Sequence, residues 1–489
     1  MKICFLCDLH LPFDKKAIQY DALKWALTDI KEQKPDCVIF AGDVTANGNI
    51  RVYEWFIGHM QKIKCKFLYI PGNSDLRDGR FREKIRKKAS DCLTIFNGIK
   101  IFAVNDSDGN IDEDTFALLE QADESSIVFM HHPFYCLGEN TKERFLMWKR
   151  KRKSMKLFYG HEHFSAETEN GISLQALDPD KAIGEEPCIT YYDTDTDCCR
   201  KSYYLCPVPQ DLFEYLGISC YRASTDISFA TAKRLKYLEL RPNVLSENED
   251  RTVSLIDEWR RKGGKVLSVH LSDVVSDGKT VRFEDDYDKL IELGVKLKAE
   301  RFIQHVPVAT VLAIKNDKTL LKKIGVAIAE KTDKIPYKCV IGVENMHMTQ
   351  NDLPNKNRRF GYTPEEIFLF MRAVAANSKH KIGVNLDIGH ARNNFPYSQK
   401  YTLSTWYSLL GKYAVSYHIH QVTYHEGQYY NHMPITDVYG KLISYASFFK
   451  CWEKRKINRV PCIFEMRPQG SYEITLNAFK KNSEWQIKD

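Results

Sequence analysis

Five apolar runs in the first 165 residues each end in residue types that hold metal ions. Ile3–Cys7 leads into Asp8-Leu9-His10, and Val38–Ala41 leads into Gly42-Asp43, with Gly48 following. Phe67–Ile70 leads into Pro71-Gly72-Asn73-Ser74-Asp75, and Ile127–Met130 into His131-His132-Pro133. Leu157–Tyr159 leads into Gly160-His161-Glu162-His163. A carboxylate can bridge two cations, imidazoles suit zinc, iron or manganese, and an amide oxygen is a neutral ligand. Glycine next to such residues lets the backbone turn sharply. Ligands of open α/β sheets bind outside the carboxyl ends of the strands, so these five ends are expected to converge.

The second half repeats the pattern with a different ligand set. β-rich runs stand at Tyr215–Ser219, Tyr237–Leu240, Val266–Val269, Phe302–Ile303, Val340–Val343, Ile382–Leu386, Val415–Tyr417 and Cys462–Phe464. From the third run on, their ends carry His270, His305, Glu344, Asp387 with His390, His420, and Glu465. Eight such runs, separated by helical stretches over about 250 residues, predict a (β/α)8 barrel with its chemistry at the carboxyl end.

The elements that must position these residues follow from the whole chain. Its 489 residues suggest about three domains, or two if one is large. With 43% hydrophobic and 28% charged residues, a wholly disordered chain is excluded. No apolar run reaches the roughly 18 residues of a membrane helix. Asp8 and His10 interrupt the N-terminal apolar stretch before a signal peptide could form, so a cytoplasmic location and no membrane partner are expected. A net charge of +7 permits anionic substrates without demanding nucleic acid. Cys4 and Cys7 face opposite sides of a strand, which argues for reduced buried thiols over a redox pair. The prolines of Cys206-Pro207-Val208-Pro209 mark a boundary, giving domains 1–207 and 210–489, both α/β. One helix start is well marked by Thr363 as N-cap, Pro364 at N1 and Glu366 at N3.

The first five motifs read D-x-H, G-D-x4-G, G-N-x-D, H-x-P and G-H-x-H, and together they resemble the calcineurin-like metallophosphoesterases. The resemblance covers about residues 1–205 and implies a two-sheet αββα sandwich with two divalent metals (Mn, Fe or Zn). It implies that Asp8, His10 and His163 hold the first metal, that Asp43 bridges, and that Asn73, His131 and His161 hold the second. Asp43 and Asn73 would then be catalytic, because two cations roughly 3.5–4 Å apart clamp the attacking and leaving oxygens of a displacement. One position departs from the family pattern. Many members carry a histidine after the motif asparagine, and here that residue is Ser74, which is no general acid near neutral pH. His132, Glu162 and His59 are the candidate replacements. Between the fourth and fifth motifs a basic run includes Lys149, Arg150 and Arg152, expected either as a solvated helix face or as a rim that attracts phosphate.

The strings Val343-Glu344-Asn345, Asp387-Ile388-Gly389-His390, His418-Ile419-His420 and Ile463-Phe464-Glu465 resemble the xylose isomerase-like barrels, which include sugar epimerases and type IV apurinic endonucleases. The epimerase pattern implies one metal on Glu344, Asp387, His420 and Glu465, with both glutamates moving the proton. The endonuclease pattern adds His270, His305, His390 and His432 and a three-metal centre, although Tyr430 stands where that pattern has aspartate. One to three cations, Zn or Mn, are therefore expected in the barrel. The combined expectation is a phosphodiesterase joined to a barrel acting on a phosphorylated small molecule or a nucleic acid. The alternatives are a barrel that isomerises a sugar, and a scaffold with one silent domain.

Overall fold

A computed structural model describes residues 1–349, 352 and 357–483. The chain forms two compact units: Met1–Cys206 together with Tyr439–Ser447, and Pro207–Val438 together with the chain from Phe448.

The first unit is a sandwich of two sheets. Its strands are β1 (Lys2–Leu6), β2 (Cys37–Ala41), β3 (Lys66–Ile70), β4 (Leu93–Phe96), β5 (Ile99–Ala103), β6 (Ile127–Met130), β7 (Lys156–Tyr159), β8 (Ala166–Thr168), β9 (Gly171–Ser173), β10 (Cys188–Asp193) and β11 (Cys198–Tyr203). One sheet has the order β11-β10-β1-β2-β3 and the other β4-β5-β6-β7-β9-β8. Strand alternation explains why the sheets stack. Ile3 and Phe5 of β1, Ile39 and Ala41 of β2, and Ile101, Ala103, Ile127 and Phe129 of β5 and β6 meet in one buried cluster. The intervening Phe102, Val128 and Met130 turn outward onto Phe116, Leu119, Phe145 and Trp148 of the helices Glu113–Leu119 and Glu139–Arg150. Each such apolar side chain contributes roughly 1.5–3 kcal/mol by leaving water.

The second unit is a closed parallel barrel. Its strands are β12 (Leu216–Cys220), β13 (Tyr237–Leu240), β14 (Val266–His270), β17 (Arg301–His305), β18 (Val340–Glu344), β19 (Lys381–Asp387), β20 (Ala414–Ile419) and β23 (Cys462–Phe464), in that order around the barrel. Two hairpins, β15 (Val274–Ser276) with β16 (Val281–Phe283) and β21 (Gln421–His425) with β22 (Gln428–Met433), stand beyond strand ends. The helix Pro364–Ala375 starts on the capping box seen in the sequence, with the Thr363 side chain accepting from the Glu366 amide. Glu366 in turn accepts from the amides of Gly361 and Tyr362. No helix among the described residues is long and apolar enough to cross a membrane. Cys4 and Cys7 are buried free thiols.

Candidate metal centres and active site

In the first unit the loops after β1 and β2 are laced together. The amides of Leu9 and His10 both donate to the Asp43 carbonyl, at 2.9 and 3.0 Å, and the Asp8 amide donates to Gly42. This lacing brings Asp8, His10, Asp43 and His163 into one group whose donor atoms lie within 4.8 Å of one another. The Asp43 carboxylate divides between two groups. Its Oδ2 lies 3.0 Å from His10 Nε2, and its Oδ1 lies 3.5 Å from His131 Nε2. Asn73 Oδ1 stands between the rings of the second group, 3.0 Å from His131 Nε2 and 3.1 Å from His161 Nδ1. All seven residues expected as ligands in this half therefore converge. Gly72 allows it, because a Cβ there would collide with the Asp43 carboxylate and the His131 ring.

The electrostatics fit cations. Asp8 Oδ1 is buried with no hydrogen-bond partner among the described residues, and it faces His163 Nε2 at 3.6 Å. A buried carboxylate oxygen in that state is costly unless a cation satisfies it. Burial alone would raise the Asp43 carboxyl, but His131 and His10 hold it well below the usual range. Burial and the neighbouring rings of His131 and His132 lower His161 to about 3, so it is a neutral ligand at physiological pH.

Residues not read as ligands orient these groups. Asp106 accepts from the amides of both His131 and His132, at 2.9 and 2.7 Å. Asp178 Oδ2 lies 3.4 Å from His10 Nδ1. Asp75 accepts from the amides of Val44, Thr45 and Gly72, while burial and the charge of Asp43 push its carboxyl up to about 6. Ser74, the residue that departs from the motif, is fully buried and its hydroxyl donates to the Thr45 carbonyl at 2.6 Å. Of the candidate replacements, His59 bonds the Trp55 carbonyl within its own helix and Glu162 is half-buried. His132 packs its ring 4.6 Å from that of His161.

The basic run is not brought to this cluster. It spans the last turn of the helix Glu139–Arg150 and the turn that leads into β7, whereas His161 and His163 follow the other end of that strand. Arg152 is occupied by the Ala122 carbonyl and by Glu120, and Lys149 Nζ by the carbonyls of Arg152 and Lys153. Arg150 ends the helix on its exposed side.

At the carboxyl end of the barrel three groups of donors form. His270, His305 and Glu344 make one, with His270 Nε2 3.4 Å from Glu344 Oε2 and His305 Nε2 3.5 Å from Oε1. Asp387, His390, His420 and His432 make another, and Glu344, Asp387, His418 and Glu465 the third. Glu344 and Asp387 are each shared between groups. Both histidines of His418-Ile419-His420 enter these groups: the expected ligand His420 joins Asp387, and His418, not expected from the sequence, joins the two glutamates. His420 Nε2 pairs with Asp387 Oδ1 at 3.0 Å, and His418 Nδ1 reaches Glu465 Oε2 at 2.6 Å and Glu344 Oε2 at 3.2 Å. The two histidines lie two residues apart on a strand and share a face, so both were open to this role. Buried atoms of the set, Glu344 Oε1, His270 Nε2, His390 Nε2 and His432 Nε2, have no hydrogen-bond partner among the described residues. That donor set suits divalent cations.

The barrel's supporting residues also escaped the sequence. Glu239 sits fully buried on β13 with its Oε2 3.0 Å from His418 Nε2. A lone acid between Leu238 and Leu240 in a buried parallel strand was the available signal. Asp273 holds His305 Nδ1 at 2.7 Å. Tyr221 donates its hydroxyl to Glu465 Oε1 at 2.9 Å, and Arg241 pairs with the same oxygen at 2.8 Å. Asp387 is also an N-cap, accepting from the His390 amide at 2.6 Å, and this fixes His390 on the first turn of its helix. Gly389 leaves room for the His420 ring, which a Cβ would strike.

Residues 1–165 match the calcineurin-like phosphoesterase family. A probable cyclic nucleotide phosphodiesterase of Pseudoalteromonas is 27% identical over 187 residues, covering 33% of this chain and 71% of its own. A dimetal phosphatase from Danio rerio superposes at a TM-score of 0.29 with 13% identity, covering 39% of this chain and 92% of its own. A xylose isomerase domain protein from Alicyclobacillus acidocaldarius does so at 0.35 with 13% identity, covering 56% and 97%.

Proposed function

We propose that the first unit hydrolyses a phosphodiester using two divalent cations, Mn, Fe or Zn. Asp8, His10, Asp43 and His163 would hold one, and Asp43, Asn73, His131 and His161 the other. The observation that carries this reading is the Asp43 carboxylate, one oxygen of which faces each ligand group. The relative named as a cyclic nucleotide phosphodiesterase supports a diester over a monoester. Cations bound there supply Lewis-acid polarisation of the phosphoryl oxygens and a nucleophile at neutral pH.

The protein's own part is proton delivery and orientation. His132 supplies the leaving-group proton in place of the residue at Ser74. Its Nδ1 is committed to the Asp106 carbonyl at 3.1 Å, which leaves Nε2 for the substrate. Burial lowers the affinity of this ring for a proton, but the Asp106 carboxylate outweighs that and raises its pKa, as a general acid requires.

In the barrel, three donor groups sharing Glu344 and Asp387 support a multinuclear centre of Zn or Mn acting on a phosphate-bearing substrate. Glu344 and Glu465 stand at its middle. His270 and His305 favour this over an isomerase, because proton transfer between carbons needs no imidazoles at those strand ends.

The test is Asp43→Ala, assayed on bis(p-nitrophenyl) phosphate with metal content measured in parallel. Activity is expected to fall on the order of a thousand-fold, the rate equivalent of several kcal/mol of lost charge stabilisation, with both cations of this unit gone. Retained activity in a folded variant would sink the two-cation assignment.

A further inference from the structure

At the end of the first unit opposite its ligand cluster, lysines gather around a cleft of about 850 Å³. Leu27, Ile30, Ile63 and Phe96 give it an apolar floor, and Lys31, Lys34, Lys62, Lys64 and Lys66, all exposed, stand around it. The local fold explains the juxtaposition. The helix Ile18–Gln33 passes through its C-cap Lys34 toward the start of β2 at Cys37. The helix Ile50–Met60 hands over to β3 at Lys66 through residues 61–65. β3 and β4 are the outer strands of the two sheets, and Phe96 closes β4 while packing on the sandwich core. The cleft therefore lies where both sheets end.

The charge of this cleft is uncompensated. Elsewhere in the unit lysines pair with carboxylates: Lys84 with Glu54, Lys100 with Asp123, Lys156 with Asp197 and Lys201 with Glu185. Among the described residues none of the five cleft lysines has an ion pair or a side-chain hydrogen bond. Asp36 is the single carboxylate of the lining, and its Oδ2 accepts from the Lys2 amide at 2.8 Å. We propose that the cleft binds a small amphiphilic anion, its apolar body on the floor and its phosphate or carboxylate groups among the lysines. The lining needs both halves of that chemistry. A bare polyanion leaves the apolar floor in water, and a neutral apolar molecule leaves five ammonium groups without a counter-charge. The volume falls within the roughly 300–1,000 Å³ of small-molecule sites, whereas a flat bilayer surface does not reach the floor of a cleft. The site is separate from the metal centre. β2 starts beside the cleft and ends at Ala41, just before Asp43, so about 17 Å of strand stand between them.

The experiment is calorimetric titration of octyl phosphate, below its micelle concentration, into the full chain under chelator. The chelator removes the cations through which the metal centre would hold the phosphate. Octyl phosphate should bind at one saturable site, and inorganic phosphate and 1-octanol about ten-fold more weakly or worse. Lys62→Glu, Lys64→Glu should weaken octyl phosphate about ten-fold or more, because two attractive charges become repulsive. Lys151→Glu, Lys153→Glu makes the same change in net charge on exposed residues outside the cleft and should leave binding unchanged. Wild-type affinity in the first double variant, or equal weakening in both, would overturn the site. So would 1-octanol or inorganic phosphate binding as tightly as octyl phosphate. Vesicles of phosphatidylcholine with phosphatidylglycerol test the source of the anion. The chain should not sediment with them, and sedimentation in place of octyl phosphate binding would make this surface a membrane contact and overturn the cleft. No step of the test reads hydrolysis, so its failure leaves the phosphoesterase reading of the first unit standing.

Discussion

The two ligand clusters reach the same density of donors by opposite backbone means. In the first unit, Asp8, His10, Asp43, His161 and His163 all adopt left-handed backbone, with φ of 49°, 44°, 61°, 71° and 63°. For residues other than glycine each such conformation costs roughly 1–3 kcal/mol and persists only where the surroundings over-determine it. Among the barrel's candidate ligands only His432 does so, at φ 59°. The difference follows from topology. Neighbouring strands of an open sheet run side by side, so the loops beyond them must double back to bring donors together. A closed barrel aims its strand ends at one axis, and ligands on regular strands such as His270 and Glu344 converge without strain. The barrel centre is pre-organised by its fold. The first centre is held by hydrogen bonds between loops, and the ligand glycines mark where those loops press closest.

The comparison breaks most sharply if the barrel groups are independent of the first unit. In His270→Ala, His305→Ala the group completed by Glu344 is dismantled, while Asp387, His390, His420 and His432 remain. Metal analysis of the full chain should show a loss of about one cation, because removing two ligands of three leaves no site at the usual coordination number. Hydrolysis of bis(p-nitrophenyl) phosphate by the first unit should be unchanged. Unchanged metal content would return the barrel to a single-cation centre of epimerase type.

The sequence was more informative about what these centres contain than about what holds them. The candidate ligands are legible because they end strands: Asp8 follows β1, Glu344 closes β18 and Asp387 closes β19. Apolar runs of buried parallel strands are continuous and easy to find. The edge strands of the first unit were not read. β4, with its residues only partly buried, and β11, mostly exposed, lack the apolar run that marked the others. Asp106 has another cause: it follows β5, an interior strand whose apolar run carries no metal-ligand residue directly at its end. His418 and His420 could not be told apart, because strand periodicity puts both on one face and only closure decides which meets the glutamates. Of the two readings of the basic run, the charge is visible in sequence, but its place at the amino end of β7 is not.

A smaller effect sharpens the contrast within the first unit. His132 faces the second ligand group without belonging to the expected set, and Asp106 holds it as a donor. His132→Gln should slow hydrolysis of diesters with poor leaving groups about a hundred-fold, the lower end of general-acid contributions. Diesters of p-nitrophenol, which need no proton, should change little, and the metal content should stay the same. Equal losses on both substrates, or loss of a cation, would make His132 a ligand and leave the proton donor elsewhere.

The smallest expected effect is a proton. In the metal-free chain burial lowers the His305 pKa, but Glu344 and Asp273 outweigh it and push it up to about 9. At neutral pH this ring is protonated, and a cation joining His270 and Glu344 must expel that proton. Zinc binding to this group should therefore strengthen as pH rises, level off above about 9, and release about one proton at pH 7 from His305. The second group of the first unit differs, because His161, lowered to about 3, is already neutral and contributes no such release. The same shift gives the sign for stability without metal. The contribution of His305 is fully present below its unfolded pKa of about 6.5 and is lost as pH rises through about 9. Calorimetric zinc titrations in two buffers of different ionisation enthalpy measure the released proton directly. His305→Gln should remove it and flatten the pH dependence of the barrel sites alone. Identical proton release from variant and wild type would mean that His305 is neutral in the apo-protein and that the carboxylates around it do not govern its charge.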